Sequence, residues 1–474
     1  MDATELAFAG IAEQARLIAA GEVSSRELVQ LHLDRIARFD SQLNAFRVLF
    51  AERALLEADQ ADARRGAGAE RPLLGVPIAV KDDIDVAGEV TAMGSNAYGE
   101  PKREDAELVR LLREAGAVIV GKTNVPELCM WPFTETITWG STRNPWDLQR
   151  APGGSSGGSG AAVAAGLVSG ALGSDGAGSI RIPSAWCGLY GLKPQRARVP
   201  MAPHLQAWHG LSVNGLVGRT VADTALFLDL FGTGSDPGGP PPSSTSYSEA
   251  VTEVSGGSRP QQLRIAFSTK IPPGIVSKLD GDAERALMDT VELLRSLGHQ
   301  VEEQDPEYGF DTLPEILARM YKGIRDEANA LEHPQRLERR TKAMARIGTL
   351  LPEAALAWAK NHEADFTGRL NRVFERHDVL LTPAVAKPPP RIGQLEGRGA
   401  IWTLNAVAGM VPYNAPWNVT GQPACSVPSG IGGDGLPRAV QLVGRAQDEL
   451  TLLRLSAQLE QERPWAQQRP PQFS

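Results

Sequence analysis

The chain has 474 residues, 42% hydrophobic and 22% charged, and its 49 glycines and 34 prolines show no collagen-like period; this is the composition of a protein folded throughout. A net charge of −8, with no basic run beyond a short cluster around Arg339, excludes the concentrated basic face that nucleic-acid binding needs. No segment reaches the roughly 18 unbroken apolar residues of a membrane span, and Cys129, Cys187 and Cys425 are too widely spaced for a zinc ribbon, a redox pair or a disulfide framework.

The N-terminus carries acids at Asp2, Glu5 and Glu13 where a secretory signal would be basic, so a reducing cytoplasm is the expected compartment. From Glu5 to about Ala63 apolar residues recur every three or four positions, and Ser24 is followed three residues later by Glu27. That pattern predicts a helical opening with a capped helix start. "LLGVPIAVKDDIDVAG" predicts a strand ending in charge, "LVRLLREAGA" a helix and "AVIVGKTN" a second buried strand, an alternation typical of α/β architecture.

"AAVAAGLVSGALGSD" predicts a helix of very small residues that feeds a short strand and packs close to what lies beneath. Residues 233–248 have the composition of a surface loop, "QLRIAFS" that of a strand and "DAERALMDTVELLRSLGH" that of an amphipathic helix. Residues 311–377 are charged and helical in pattern, a cover over one side of the sheet, and "HDVLLTPAVAKPPP", "ACSVPSG" and "RAVQLVGR" return to strands. Two to three domains, or one large α/β domain, fit the length.

The stretch 151–166, "APGGSSGGSGAAVAAG", holds six glycines and three serines in sixteen positions. A phosphate cradle does not fit: no lysine follows in Walker spacing, and G-x-G-x-x-G meets Val163 if begun at Gly158 and Arg181 if begun at Gly176. Gly153 to Gly157 satisfies the G-x-S-x-G of a nucleophile elbow, but "NPWDLQRAP" is no buried strand and no histidine sits in a C-terminal triad context. Further on, Ser179 follows Gly176, Ala177 and Gly178, a run of nearly bare backbone whose N–H groups can converge as an oxyanion hole.

"GGSSGGSGAAVAAG…GALGSDGAGSIRIPSAWCGLYGLKP" and "GVPIAVKDDIDVAG" resemble the two signature segments of the amidase signature family. "GKTNVPEL", "STRNPWD", "GLSVNGLVGRTVADTALFLD", "LLTPA", "WNVTGQPACSVPSG" and "LPRAVQLVGR" extend the resemblance from near residue 1 to about residue 460. It implies one α/β domain over 1–474 built on a large central twisted mixed β-sheet covered by α-helices. Its parts are a helical segment at about 1–63, a catalytic core at about 70–232, a helical cover at about 311–377 and C-terminal strands at 378–460.

The resemblance also implies hydrolysis of a carboxylic amide by a Ser-Ser-Lys triad. Ser179 is the nucleophile, Ser155, entered through a cis peptide bond, the bridging serine, and Lys81 the base. Ser155 and Ser179 stand 24 positions apart, as in the family pattern. Gly176, Ala177 and Gly178 form the oxyanion turn, where many members have glycine in place of Ala177; a negative φ is expected there. A lysine accepts a proton only when neutral, so Asp82 and Asp83 are both expected to point away from Lys81.

Met130, Trp131 and Phe133 fall in the family region that lines the acyl cleft, and Trp402, Tyr413 and Trp417 are candidates for an aromatic wall, which would favour aryl or acyl amides. Arg181 and Asp175 are expected to be structural partners, Ser156 to bond backbone, Trp186 and Cys187 to lie in the core, and Cys129 and the histidines to be structural. No cofactor and no metal are expected, since "HEADF" breaks H-E-x-x-H at Phe366. The expected partners are a small-molecule amide and water, with no nucleic acid and no membrane span; a homodimer stays open. Esters and carbamates share the same acyl-enzyme chemistry, and the glutaminase subunit of a tRNA-dependent amidotransferase is the alternative within the family.

Overall fold

The computed structural model describes residues 1–258 and 261–474. Thirteen strands occur among them: β1 (Phe46–Leu49), β2 (Pro77–Lys81), β3 (Val118–Thr123), β4 (Glu135–Thr136), β5 (Gly140–Ser141), β6 (Gly170–Asp175), β7 (Tyr190–Lys193), β8 (Val213–Gly218), β9 (Arg264–Phe267), β10 (Gln300–Glu303), β11 (Val379–Pro383), β12 (Ala424–Ile431) and β13 (Pro437–Gly444). Eleven form one mixed sheet in the order β1-β3-β2-β6-β8-β7-β12-β13-β11-β9-β10, and β4 and β5 pair by themselves. β2 runs parallel to both β3 and β6, which brings the ends of these three strands to one edge. The α/β fold with a large mixed sheet is therefore the one expected.

Period-two side chains divide the sheet between two cores. Ile78, Val80, Ile119, Leu172 and Leu216 belong to a core under the helices Glu107–Glu114, Val221–Phe231, Gly281–Ser296 and Glu449–Glu462. Their neighbours Ala79, Val118, Val120, Ala171 and Val217 face the helices Ser25–Leu43, Ala51–Gly66 and Gly157–Ala164. A strand buried on both faces reads as a continuous apolar run, as β2 and β3 do. Each valine, leucine or isoleucine among them contributes about 1.5–3 kcal/mol on leaving water.

The expected cap is present: the Ser24 side chain accepts from the N–H of Glu27, and the Glu27 carboxylate accepts from that of Ser24. The helical opening is not continuous, because β1 interrupts it and pairs antiparallel with β3 at the sheet edge. Residues 311–377 contain the helices Thr312–Ala330, Arg339–Leu350, Glu353–Leu370 and Val373–Arg376.

The helix Gly157–Ala164 is buried at every position. A Cβ on Gly158 would lie 2.5 Å from both Ala45 O and Asn124 N, so only glycine lets this helix approach the chain leaving β3. Small residues thus seat Ser155 against the sheet.

Candidate active site

Three segments converge where β2 and β6 end. Lys81 is the last residue of β2 and wholly buried. Its ammonium donates to Ser155 Oγ at 2.7 Å and to Ser174 Oγ at 2.6 Å. Ser155 follows a cis peptide bond from Gly154. A Cβ on Gly154 would stand 2.5 Å from Trp131 O and 2.6 Å from Phe133 N, so the turn is pressed against backbone.

Ser179 lies in the turn between β6 and the helix Arg181–Cys187, half-buried and open to the same cavity as Ser155 and Ser174. The two serine turns are tied together where Ser156 N–H donates to Ser179 O at 3.3 Å, and Ser156 Oγ donates to Ser174 O at 3.3 Å. The Ser179 hydroxyl has no hydrogen-bond partner among the described residues. The expected chain from Lys81 through Ser155 is therefore present to Ser155 and open at its last link.

The oxyanion turn needs one correction. Gly178 N–H donates to Asp175 Oδ1 at 2.7 Å, so it is already spent. Gly178 has φ 116°, a conformation that favours glycine. Ala177 is not among the residues in the left-handed region. Among the described residues, no acceptor takes the N–H groups of Gly176, Ala177 or Ser179, and Gly176 and Ser179 line the cavity. At this turn the N–H groups of Gly176, Ala177 and Ser179 are thus unclaimed among the described residues, and that of Gly178 is taken.

Asp175 organises that turn from beneath. It binds Arg181 at 2.9 Å, both side chains fully buried, while Arg181 also donates to Gln441 and to Asn418. These two are structural partners, as their motif positions suggested. Burial alone would push Asp175 up, yet Arg181, Asn418 and Lys193 hold it well below the usual carboxylate range.

The expectation for the acidic pair after Lys81 fails for one member. Asp82 turns away to Arg47 at 2.7 Å and Lys122 at 2.9 Å. Asp83 instead places Oδ2 3.2 Å from Lys81 Nζ and accepts from Ser174 Oγ at 2.5 Å. Lys81 thereby finds acceptors for all three protons of an ammonium: Ser155, Ser174 and Asp83. A carboxylate thus stands at ion-pair distance from the ammonium, where both acids were expected to point away.

The site opens into a cavity of about 710 Å³. Cys129, Trp208, Glu327 and Asp326 line it beside the serines, as do His204 and His209. Cys129 and these two histidines are therefore cavity residues rather than purely structural ones. The Cys129 thiol lies 3.6 Å from Asp83 Oδ2, and burial pushes it well above the usual thiol range.

The chain is similar to known proteins over nearly its whole length. The profile described as Amidase matches residues 27–453. The chain belongs to the amidase signature family, and it is an amide-hydrolysing enzyme. It is 51% identical over 470 residues to a Mycobacterium tuberculosis protein named "Putative amidase AmiB2", covering 99% of each chain. It is 34% identical to the 6-aminohexanoate-cyclic-dimer hydrolase of Paenarthrobacter ureafaciens, covering 96% of this chain and 95% of that one. A solved structure of 6-aminohexanoate cyclic dimer hydrolase complexed with substrate superposes with a TM-score of 0.89 at 31% identity, covering 99% of this chain and 100% of that one.

In this amidase the aromatic residues expected to shape the acyl cleft lie elsewhere. Met130, Trp131 and Phe133 are buried in the core under the helical cover, where the rings of Trp131 and Phe133 stack at 5.9 Å and Arg340 covers both. None of the three lines the cavity. Trp417 is fully buried in that core, Tyr413 is buried and donates to Thr269 O, and Trp402 is half exposed. Tyr98 and Trp208 supply the aromatic surface instead, Trp208 packed over Gly176 so that a Cβ there would lie 3.3 Å from its ring.

Proposed function

We propose that the chain cleaves a carboxylic amide through an acyl-enzyme on Ser179. Lys81, once neutral, takes a proton from Ser155, which takes the proton of Ser179 as its Oγ attacks the carbonyl carbon. The oxyanion forms against the N–H groups of Gly176, Ala177 and Ser179. On collapse the C–N bond breaks and the relay returns the proton to the leaving amine, and water then releases the acid by the reverse path. The open link between Ser155 and Ser179 closes in this scheme when substrate is seated, since catalytic hydrogen bonds commonly tighten only in the Michaelis complex.

The observation that carries the proposal is Lys81 Nζ on Ser155 Oγ at 2.7 Å, at the floor of a cavity onto which Ser179 also opens. The same acyl-enzyme chemistry would serve esters and carbamates, and the proposal extends to both. Free thiols at Cys129, Cys187 and Cys425 support work in a reducing cytoplasm.

Rapid acid quench during turnover of a p-nitrophenyl ester tests the covalent step. The expected result is a burst of p-nitrophenol and an acyl mass on the peptide carrying Ser179. An acyl group on Cys129 instead, or no adduct under burst conditions, would refute the assignment.

A further inference from the structure

Six carboxylic acids line the cavity: Asp83, Asp85, Glu100, Asp326, Glu327 and Glu332; Lys102 is the one lysine or arginine among its lining residues. Such a wall focuses a negative potential inside the cleft. Half of these acids are already answered. Asp83 has Lys81 at 3.2 Å, Asp85 has His204 at 3.2 Å and Lys102 at 3.5 Å, and Asp326 has Arg325 at 2.6 Å and His209 at 3.0 Å. Glu100 and Glu332 stand exposed at the rim.

Glu327 is different. It sits on the helix Thr312–Ala330 with no cationic partner among the described residues, and its Oε2 is shut off from solvent without any hydrogen-bond donor. An unpaired buried acceptor is destabilising, and at a cavity wall the missing donor is one that a ligand can bring. Burial pushes Glu327 up to about 8, against the nearby Trp208 and the charge of Lys81, and the charge of Asp83 adds to the push. The groups facing it are Lys81, Asp83 and Cys129 from the floor, Trp208 and His209 from the wall, and Asp326 on its own helix.

We propose that Glu327 binds a protonated amine of the substrate, making the preferred substrates amides that carry an aliphatic ammonium group. The inference rests on the acyl-transfer reading above and names the substrate class of that same site. An ammonium brings both the donor that Oε2 lacks and a charge that the six acids attract, whereas a neutral N–H brings only the first. A volume of about 710 Å³ is within the range of pockets that hold drug-sized ligands, so a single substrate has room to reach from Ser179 towards Glu327.

Two matched pairs test it: δ-aminovaleryl against hexanoyl p-nitroanilide, with the charge on the acyl side, and benzoyl-cadaverine against benzoyl-hexylamide, with the charge on the leaving side. In at least one pair the cationic member should be favoured about tenfold in kcat/KM, and Glu327→Gln should remove most of that ratio. The ratio should also grow from pH 7 to pH 9, because free Glu327 ionises through about 8 while an alkylammonium stays charged until about 10.4. Equal rates within both pairs, or a preference untouched by Glu327→Gln, would overturn the proposal.

Calorimetric binding of n-pentylammonium against n-pentanol reads the same contact without turnover and, on wild type alone, without any substitution. Selective binding of the ammonium, weakened in Glu327→Gln, supports the ammonium site even if no probe is hydrolysed, an outcome that would count against the acyl-transfer reading alone. Hydrolysis without discrimination, together with equal binding of the two probes, would remove the ammonium site and leave acyl transfer standing.

Discussion

Ser179→Ala should abolish amide hydrolysis, a fall of about 10⁴–10⁶ in kcat, while the protein keeps its wild-type circular dichroism and melting temperature. The size follows from the role. A tenfold loss corresponds to about 1.36 kcal/mol of barrier, and the oxyanion donors alone retain only the small part of the acceleration that does not need a nucleophile. Ser155→Ala should lie within the same range, because the one hydroxyl then left against Lys81, that of Ser174, is committed to Asp83. The double substitution should be no worse than Ser179→Ala, since residues acting as one relay are far from additive. Single-turnover kinetics on the three variants check this. Turnover by Ser179→Ala near the wild-type rate would end the nucleophile assignment, and independent multiplying losses would end the relay.

What the sequence disclosed follows from which information is local. β2, β3, β11 and β13 are apolar runs bounded by Gly, Pro or charge and are legible as strands. β7 and β8 are not, because glycines at 191 and 215 weaken a strand pattern. Their cause is tertiary: a Cβ on Gly191 would meet Ser184 Oγ at 2.1 Å, and one on Gly215 would meet Ile180 Cδ1 at 2.8 Å. Both glycines make room for the helix that carries the Ser179 turn.

The same distinction explains the site. Lys81, Ser155 and Ser179 sit in short motifs whose spacing can be read, whereas the cavity wall is assembled by packing. After β3, Leu128 and Cys129 both adopt positive φ, at 51° and 54°. Cys129 borders the cavity and the next aromatic residues enter the core, so a reading of Met130, Trp131 and Phe133 as cleft residues misses the side on which they emerge. Glu327 and Asp326 come from a helix whose pattern says only that it covers something. Asp83 was visible beside Lys81, but its direction depends on Ser174, which lies 91 positions further on.

Asp175→Ala should be the most damaging single change to stability near the site. Asp175 and Arg181 are both 0% exposed and paired at 2.9 Å, so removing the acid strands a buried guanidinium, at a cost of about 3–5 kcal/mol. It also releases the N–H groups of Gly178 and Ile180, which Asp175 accepts at 2.7 and 3.2 Å, so the oxyanion turn should loosen and activity fall with stability. The pH dependence has a definite sign. Arg181 and its neighbours depress the folded-state affinity of Asp175 for protons, so its contribution is complete above the unfolded value of about 3.9 and is lost only as pH falls below it. Urea midpoints should therefore show a constant gap between wild type and Asp175→Ala from pH 5 to pH 7 and a narrowing gap below pH 4. Replacing both partners, as in Asp175→Ala with Arg181→Leu, should cost less than the two single changes added together, because no charge is then left unpaired in the interior. Full additivity in that cycle would mean that the pair is incidental and that the turn is held by its backbone alone.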